Sequence, residues 1–124
     1  MGVEVDSWWR QAVEDLDTAK VNLNHGKYYA ASLFAQQAAE KALKALYILR
    51  FGELVRTHDL YFLGVKLDVT KDLLGLCESL SEVYLTSRYP DASDEIPAIM
   101  FSAEISDADV KAAEEVLKWV KERI

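Results

Sequence analysis

The sequence is poor in the residues that build metal centres and disulfide bonds. It has one cysteine, Cys77, and two histidines, His25 and His58. A lone cysteine cannot form an intramolecular disulfide, and zinc sites built from Cys and His need more ligands. Di-metal helical bundles need paired Glu-x-x-His motifs, and no such motif occurs here. We therefore expect no metal and no cofactor, and we interpret Cys77, which lies among leucines, as a small buried hydrophobic residue.

Long apolar runs are also missing. No stretch approaches the roughly 20 apolar residues that a membrane-spanning helix needs. The N-terminal segment Val3-Glu4-Val5-Asp6 has neither the basic nor the apolar region of a signal peptide. The formal net charge of -7 disfavours generic DNA binding, because an acidic chain repels phosphate backbones at long range, although a local basic pocket stays compatible with it. The sequence predicts a cytoplasmic protein without membrane contacts.

Breaks in helical patterning are few. The chain has two prolines and five glycines, and no segment alternates with the two-residue period of a strand. The 124 residues, about half of them apolar, fit a single domain over residues 1–124. Apolar spacing and capping residues predict helices over about 6–25, 27–51 and 68–87, a short helix over 60–67, a long ordered loop over 88–105 and a last helix capped by Ser106. The prediction is an all-α fold, an antiparallel up-and-down four-helix bundle with an additional short helix.

The second predicted helix carries more polar side chains than a bundle core needs. Lys41 and Lys44 lie three residues apart, so they share a helix face, and with Gln37 they could present donors to a phosphate or a nucleobase. The alternative is that Glu40 pairs with Lys44 at i,i+4 spacing on a solvent-exposed edge, where such a pair contributes about 0.3–0.5 kcal/mol. The spacing is compatible with both interpretations.

Two further segments carry candidate functional residues. His58 lies in a turn beside Asp59, where it could act as acid, base or phosphate donor, or could cap a helix end. Arg88 and Tyr89 precede a proline, and a loop arginine beside an aromatic residue suits phosphate or carboxylate binding. Arg88 could equally clamp its loop to the acidic helix before it. His58 and Arg88 are thus candidate catalytic residues, and Gln37, Lys41, Lys44, Arg88 and Tyr89 are candidate ligand-binding residues.

Several motifs in order give the chain a family resemblance. They are Trp8-x-x-x-Ala12, Asp15-Leu16-x-x-Ala19, Gly26-x-Tyr28, Phe34-x-Gln36-Gln37-Ala38-Ala39-Glu40-Lys41-Ala42-Leu43-Lys44, His58-Asp59-Leu60 and Ser87-Arg88-Tyr89-Pro90-Asp91. With these motifs the chain resembles the HEPN family, the higher eukaryotes and prokaryotes nucleotide-binding domain. The motifs span residues 8 to 91, and the last predicted helix corresponds to the closing helix of the family.

The resemblance implies an all-helical up-and-down bundle, commonly a homodimer, in a prokaryotic cytoplasm. It implies nucleotide or RNA as the possible ligand. It also implies a partner, because small proteins of this type are often encoded beside a minimal nucleotidyltransferase, in a two-component system that resembles toxin–antitoxin pairs.

Other members of the family are metal-independent ribonucleases, which carry an Arg followed by four to six residues and a His. Arg88 is the best candidate here, but no histidine follows His58 in the chain. We therefore favour a binding module over an enzyme. Two alternatives stay open: a ribonuclease in which folding or dimerisation brings Arg88 and His58 together, and a structural homologue without a ligand.

Overall fold

A computed structural model describes residues 2–124 of the chain. Within this range the backbone forms no strand and six helices, namely α1 (Val3–Asn24), α2 (Tyr28–Phe51), α3 (Leu60–Lys66), α4 (Lys71–Thr86), α5 (Pro97–Met100) and α6 (Ala103–Lys121). The predicted all-α class is confirmed. The structure adds a second short helix, α5, inside the segment that was expected to be a loop.

Contacts between the helix ends give the directions of the four long helices. A short turn joins α1 to α2, so these two run antiparallel. Ser32 near the start of α2 contacts Ser106 near the start of α6, so α2 and α6 run parallel. Leu73 at the start of α4 lies beside Trp119 at the end of α6, so α4 is antiparallel to both α2 and α6. The result is the up-and-down order that the sequence predicts.

The centre of the bundle is α2, which packs against α1, α3, α4, α5 and α6. Its alanines are fully buried, and they include Ala35, Ala38, Ala39, Ala42 and Ala45. Because a helix with small side chains on several faces lets its neighbours approach closely, this composition suits the central position. None of the helices described is both long enough and apolar enough to cross a membrane.

Capping side chains and a glycine fix several helix ends. Asp59 and Thr70 accept hydrogen bonds from backbone amides in the first turns of α3 and α4. Gly52 ends α2 in the left-handed conformation, with a φ of 74°. Cys77 is fully buried as expected, and burial raises the pKa of its thiol to about 12, so it is an inert core residue.

Two predicted helix starts are wrong. The first helix begins at Val3 rather than near residue 6, with Gly2 before it. The last helix begins at Ala103, because the side chain of Ser102 caps it by accepting from the Ile105 amide. Ser106, the predicted cap, lies one turn further on and is fully buried against α2.

Candidate functional site

Three polar residues of α2 form a buried row. Gln36, Glu40 and Lys44 follow each other at i,i+4 spacing, and they are 0%, 4% and 5% exposed. Gln36 Nε2 donates to Glu40 Oε1 at 3.0 Å, and Lys44 Nζ donates to Glu40 Oε2 at 3.0 Å. The expected Glu40–Lys44 pair therefore exists, but its expected place on a solvent-exposed edge is wrong. Because neighbouring segments cover this face of α2, both charges are largely shielded from bulk water.

His58 extends this row from the loop between α2 and α3. Its Nδ1 lies 3.1 Å and 3.2 Å from the two carboxylate oxygens of Glu40, while 53% of its side chain is exposed. A carboxylate only accepts hydrogen bonds, so Nδ1 of the neutral ring carries the proton and Nε2 carries the free lone pair. Glu40 thus orients an accessible imidazole, and the helix cap beside it is supplied by Asp59 rather than by His58.

The two candidate catalytic residues meet at Tyr84 of α4. The His58 ring stacks on the Tyr84 ring, with the centroids 4.0 Å apart and the planes 14° apart. The guanidinium carbon of Arg88 lies 4.2 Å from the same ring centre, and its Nη1 donates to the Tyr84 carbonyl at 3.2 Å. Two groups this close to one ring cannot share a face without overlap, so Tyr84 lies between His58 and Arg88. Arg88 also clamps the segment after α4 to that helix, as one interpretation of the sequence proposed.

The remaining candidate ligand residues are placed differently from one another. Gln37 donates to Gln36 Oε1 at 2.7 Å, which joins it to the buried row. Lys41 forms a salt bridge with Asp15 of α1, so the two candidate lysines pair with different carboxylates. Tyr89 is exposed at the end of α4, beside Arg88.

Sequence reasoning missed Asp15 as a partner for Lys41. Asp15 is 4% exposed, and it accepts from Gln11 Nε2 at 2.9 Å as well as from the Lys41 ammonium. Its place in the apolar stripe of α1, three residues after Ala12 and four before Ala19, was the available signal. A carboxylate on a buried face needs a cationic partner from a neighbouring helix.

An open cavity of about 320 Å³ lies beside His58, and we call it the Trp8 cleft. It is lined by Trp8, Lys44, Leu54, Val55, Arg56, Thr57 and His58. Lys44 Nζ lies 5.7 Å from the centre of the Trp8 ring. The guanidinium of Arg56 is exposed, and in the described part of the chain no carboxylate lies within 4 Å of it. Arg56 therefore gives the cleft its unneutralised positive charge.

Trp8 is half-buried, and it also lines a second cavity of about 210 Å³ together with Ser7, Gln11 and Lys41. Neither Trp8 nor Arg56 was among the predicted site residues. Among residues 2–124, no three or more His, Cys, Asp or Glu side chains are grouped so that they could hold a metal ion.

Comparisons with known proteins agree with the fold and the motifs. A family model of the HEPN domain matches residues 5–123. A curated protein of Methanocaldococcus jannaschii named "Putative toxin MJ1304" is 32% identical over 91% of this chain and 83% of its own length.

Among solved structures, the protein TT1696 from Thermus thermophilus is 31% identical with a TM-score of 0.91, over 98% of each chain. ST0689, described as an archaeal HEPN homologue, is 31% identical with a TM-score of 0.80, again over 98% of each chain. A HEPN domain protein of Thermotoga maritima shares the fold, with 23% identity and a TM-score of 0.74, over 94% of this chain and 95% of its own. The match of the family model to nearly the whole chain, together with these relatives, shows that the protein belongs to the HEPN domain family.

Proposed function

We propose that the protein is a HEPN module that binds a nucleotide in the Trp8 cleft, and that it does so as part of a toxin–antitoxin-like pair with a minimal nucleotidyltransferase. The observation that carries the binding proposal is the junction of Arg56, His58 and Trp8 around one cavity. An exposed guanidinium suits a phosphate, and an aromatic face suits a base, for which stacking is worth about 1–3 kcal/mol. Lys44 contributes less charge than its position suggests, because Glu40 neutralises it.

Binding is tested by calorimetric titration with ATP, GTP and a short single-stranded RNA. We expect Arg56→Ala to weaken nucleotide binding at least tenfold, because it removes the one cation of the cleft that has no carboxylate partner. Lys111→Ala is the matched control, since it removes an exposed charge on α6 whose partner is Asp107. Equal effects of the two variants, or no binding by the unmodified protein, would reject the cleft as the site.

Trp8→Phe gives a second, fluorescence-based test of nucleotide binding in the Trp8 cleft. Binding should change the tryptophan fluorescence of the unmodified protein, and this change should be lost in Trp8→Phe but kept in Trp119→Phe. Trp119 lies at the end of α6, where it lines a different cavity with Leu73 and Leu76.

The toxin-like role is supported by the name of the archaeal relative, and the pairing with a nucleotidyltransferase follows from the family resemblance. Co-expression from the native operon with a tag on this chain tests the pairing. Recovery of the neighbouring gene product in a defined stoichiometry is the expected result. A neighbouring nucleotidyltransferase that never associates with this chain would remove the pairing from the proposal and leave nucleotide binding untouched.

We also propose a homodimer, formed through the exposed apolar face of α3. This seven-residue helix exposes three large side chains, those of Tyr61, Phe62 and Val65. An apolar patch of this kind is unusual on a surface that stays in water. Val65→Asp should shift the protein to a monomer in light scattering coupled to gel filtration. Val13→Asp, at a similarly exposed valine of α1, should not. A monomeric unmodified protein would refute the dimer.

Ribonuclease activity is the second candidate function. His58, oriented by Glu40, and Arg88 supply the two groups that it needs, but the Tyr84 ring separates them, so a phosphate would have to reach both groups past the edge of that ring. An oriented imidazole suits proton transfer and a guanidinium suits a phosphate. Cleavage of a short RNA in the presence of EDTA, lost in both His58→Ala and Arg88→Ala, is the expected result for an enzyme. Activity that survives His58→Ala would eliminate this mechanism.

A further inference from the structure

A cavity of about 230 Å³ lies outside the Trp8 cleft, between α4, α6 and the segment that contains α5. Its lining combines apolar side chains with carboxylates and hydroxyls, and comprises Ser79, Glu82, Val83, Thr86, Met100, Phe101, Ile105 and Asp109. Met100, Ile105 and Glu82 are exposed, so they mark its mouth, whereas Val83, Phe101 and Asp109 are buried and mark its floor.

Asp109 is the unusual residue of this floor. It is 8% exposed, and its Oδ2 atom has no hydrogen-bond partner among the residues described. Burial raises the pKa of Asp109 to about 6, although the nearby Ser32 hydroxyl opposes the rise. Buried carboxylates in folded proteins are normally paired with a cation or fully hydrogen-bonded. The lining contains no lysine or arginine, so the protein itself supplies no cation at this cavity.

We propose that this cavity binds a small organic monocation, an alkylammonium, arylammonium or alkylguanidinium, with its charged end at Asp109 and its apolar body against Val83, Phe101 and Ile105. Oδ2 itself is closed to solvent, so such a ligand would pair with the part of Asp109 that lines the cavity, and the cavity otherwise offers that residue no cation. The Phe101 ring and the Met100 thioether add favourable contacts for a cation and its methylene groups.

The negative charge of the cavity lining favours a cation over a phosphate or a neutral molecule of the same shape. Glu82 at the mouth and Asp109 on the floor repel phosphates, so the cavity is not a second nucleotide site. A neutral ligand of the same shape would leave Asp109 unpaired. The neutral Ser32 hydroxyl of α2 acts on Asp109, and the Glu82 carboxylate of α4 lines the same cavity, and neither group competes with a bound cation.

The test uses the intact chain and three probes: benzylammonium, n-butylguanidinium and the neutral control benzyl alcohol. Backbone amide shifts are followed by NMR during titration at pH 7.5 and pH 5.0. At pH 7.5 we expect saturable shifts from the two cations, confined to residues near 79–86 and 97–109. At pH 5.0 binding should be about tenfold weaker, because a carboxyl with a pKa of about 6 is then about nine-tenths protonated.

Two variants separate the proposal from a non-specific attraction of cations. Asp109→Asn keeps the shape of the side chain and should lose both the binding and its pH dependence. Glu82→Gln removes only the carboxylate at the mouth and should weaken binding less than Asp109→Asn does. No saturable binding by the unmodified protein, equal affinity in Asp109→Asn, or equal affinity for benzyl alcohol would each overturn the proposal.

Discussion

The Nδ1 atom of His58 lies 3.1 Å from the Oε1 atom of Glu40. An exposed ring in a loop is thereby tied to a carboxylate in the core of the bundle, which also holds the ammonium of Lys44. One buried carboxylate thus joins the covering loop to α2. The chemistry of the exposed imidazole and the stability of the bundle therefore depend on the same residue.

Glu40→Ala should destabilise the protein strongly. It leaves the Lys44 ammonium buried without a partner, and loss of one member of a buried ion pair costs about 3–5 kcal/mol of the free energy of unfolding. Urea denaturation at pH 7.5 measures this loss. Glu14→Ala, at an exposed position of α1, is the matched control and should stay within about 0.5 kcal/mol of the unmodified protein. Similar losses in both variants would contradict the burial of the Glu40–Lys44 pair.

Glu40→Gln should change the tautomer of His58. The amide can donate as well as accept, so the requirement for a proton on Nδ1 is relaxed. Nitrogen-15 NMR of the imidazoles, recorded where both rings are neutral, reports this change. His25 is an internal control, because its Nδ1 donates to the Val21 carbonyl at 2.8 Å, away from Glu40. The prediction fails if the His58 nitrogens keep their shifts in the variant.

Asp109→Asn should stabilise the protein above pH 6. The pKa of Asp109 is raised by burial from 3.8 to about 6, so between these values the folded state binds more protons than the unfolded state. Stability therefore falls as pH rises through this window, and the full penalty, about 3 kcal/mol, applies above it. Denaturation midpoints between pH 4 and 7.5 should show a smaller decline with pH in Asp109→Asn. Asp17→Asn, an exposed control on α1, should keep the decline of the unmodified protein.

Ser106→Ala and Ser102→Ala should both destabilise the protein, but through the loss of different interactions. Ser106 Oγ donates to the Tyr28 carbonyl at 2.6 Å and lies 2.8 Å from Ser32 Oγ. Ser106→Ala therefore leaves these buried groups without a hydrogen-bond partner, at a cost of about 1–3 kcal/mol. Ser102→Ala removes the cap of α6, at a cost of about 1 kcal/mol. Hydrogen exchange of the Ile105 amide should accelerate in Ser102→Ala and not in Ser106→Ala. Faster exchange in Ser106→Ala and not in Ser102→Ala would instead identify Ser106 as the cap.

Periodicity and capping chemistry predicted most of the fold correctly. The helices predicted over 27–51, 60–67 and 68–87 begin and end within three residues of those bounds. The start of α6 was missed because Ser102 and Ser106 are equally good capping residues. Which of them caps is decided by contact with α2, which buries Ser106.

The candidate site was predicted in part. Glu40 and Lys44 pair as their i,i+4 spacing allows, whereas His58 and Arg88 both contact Tyr84 but are separated by its ring. Burial of the pair was missed, because helical spacing is the same on a covered and on an exposed face. The Lys41–Asp15 pair was missed because it joins residues on two helices, and the register between helices is a tertiary property.

The sequence alone determined the all-α class, the central place of the alanine-rich α2 and the HEPN motifs, because these depend on local spacing and composition. The tertiary structure decided which polar residues lie in the core and which face solvent. It buried Glu40 and Lys44 beneath the loop that carries His58, left Arg56 open in the Trp8 cleft, and left Asp109 without a cation. These differences depend on how the helices and loops pack over one another, because the packing decides how much water reaches each charged side chain.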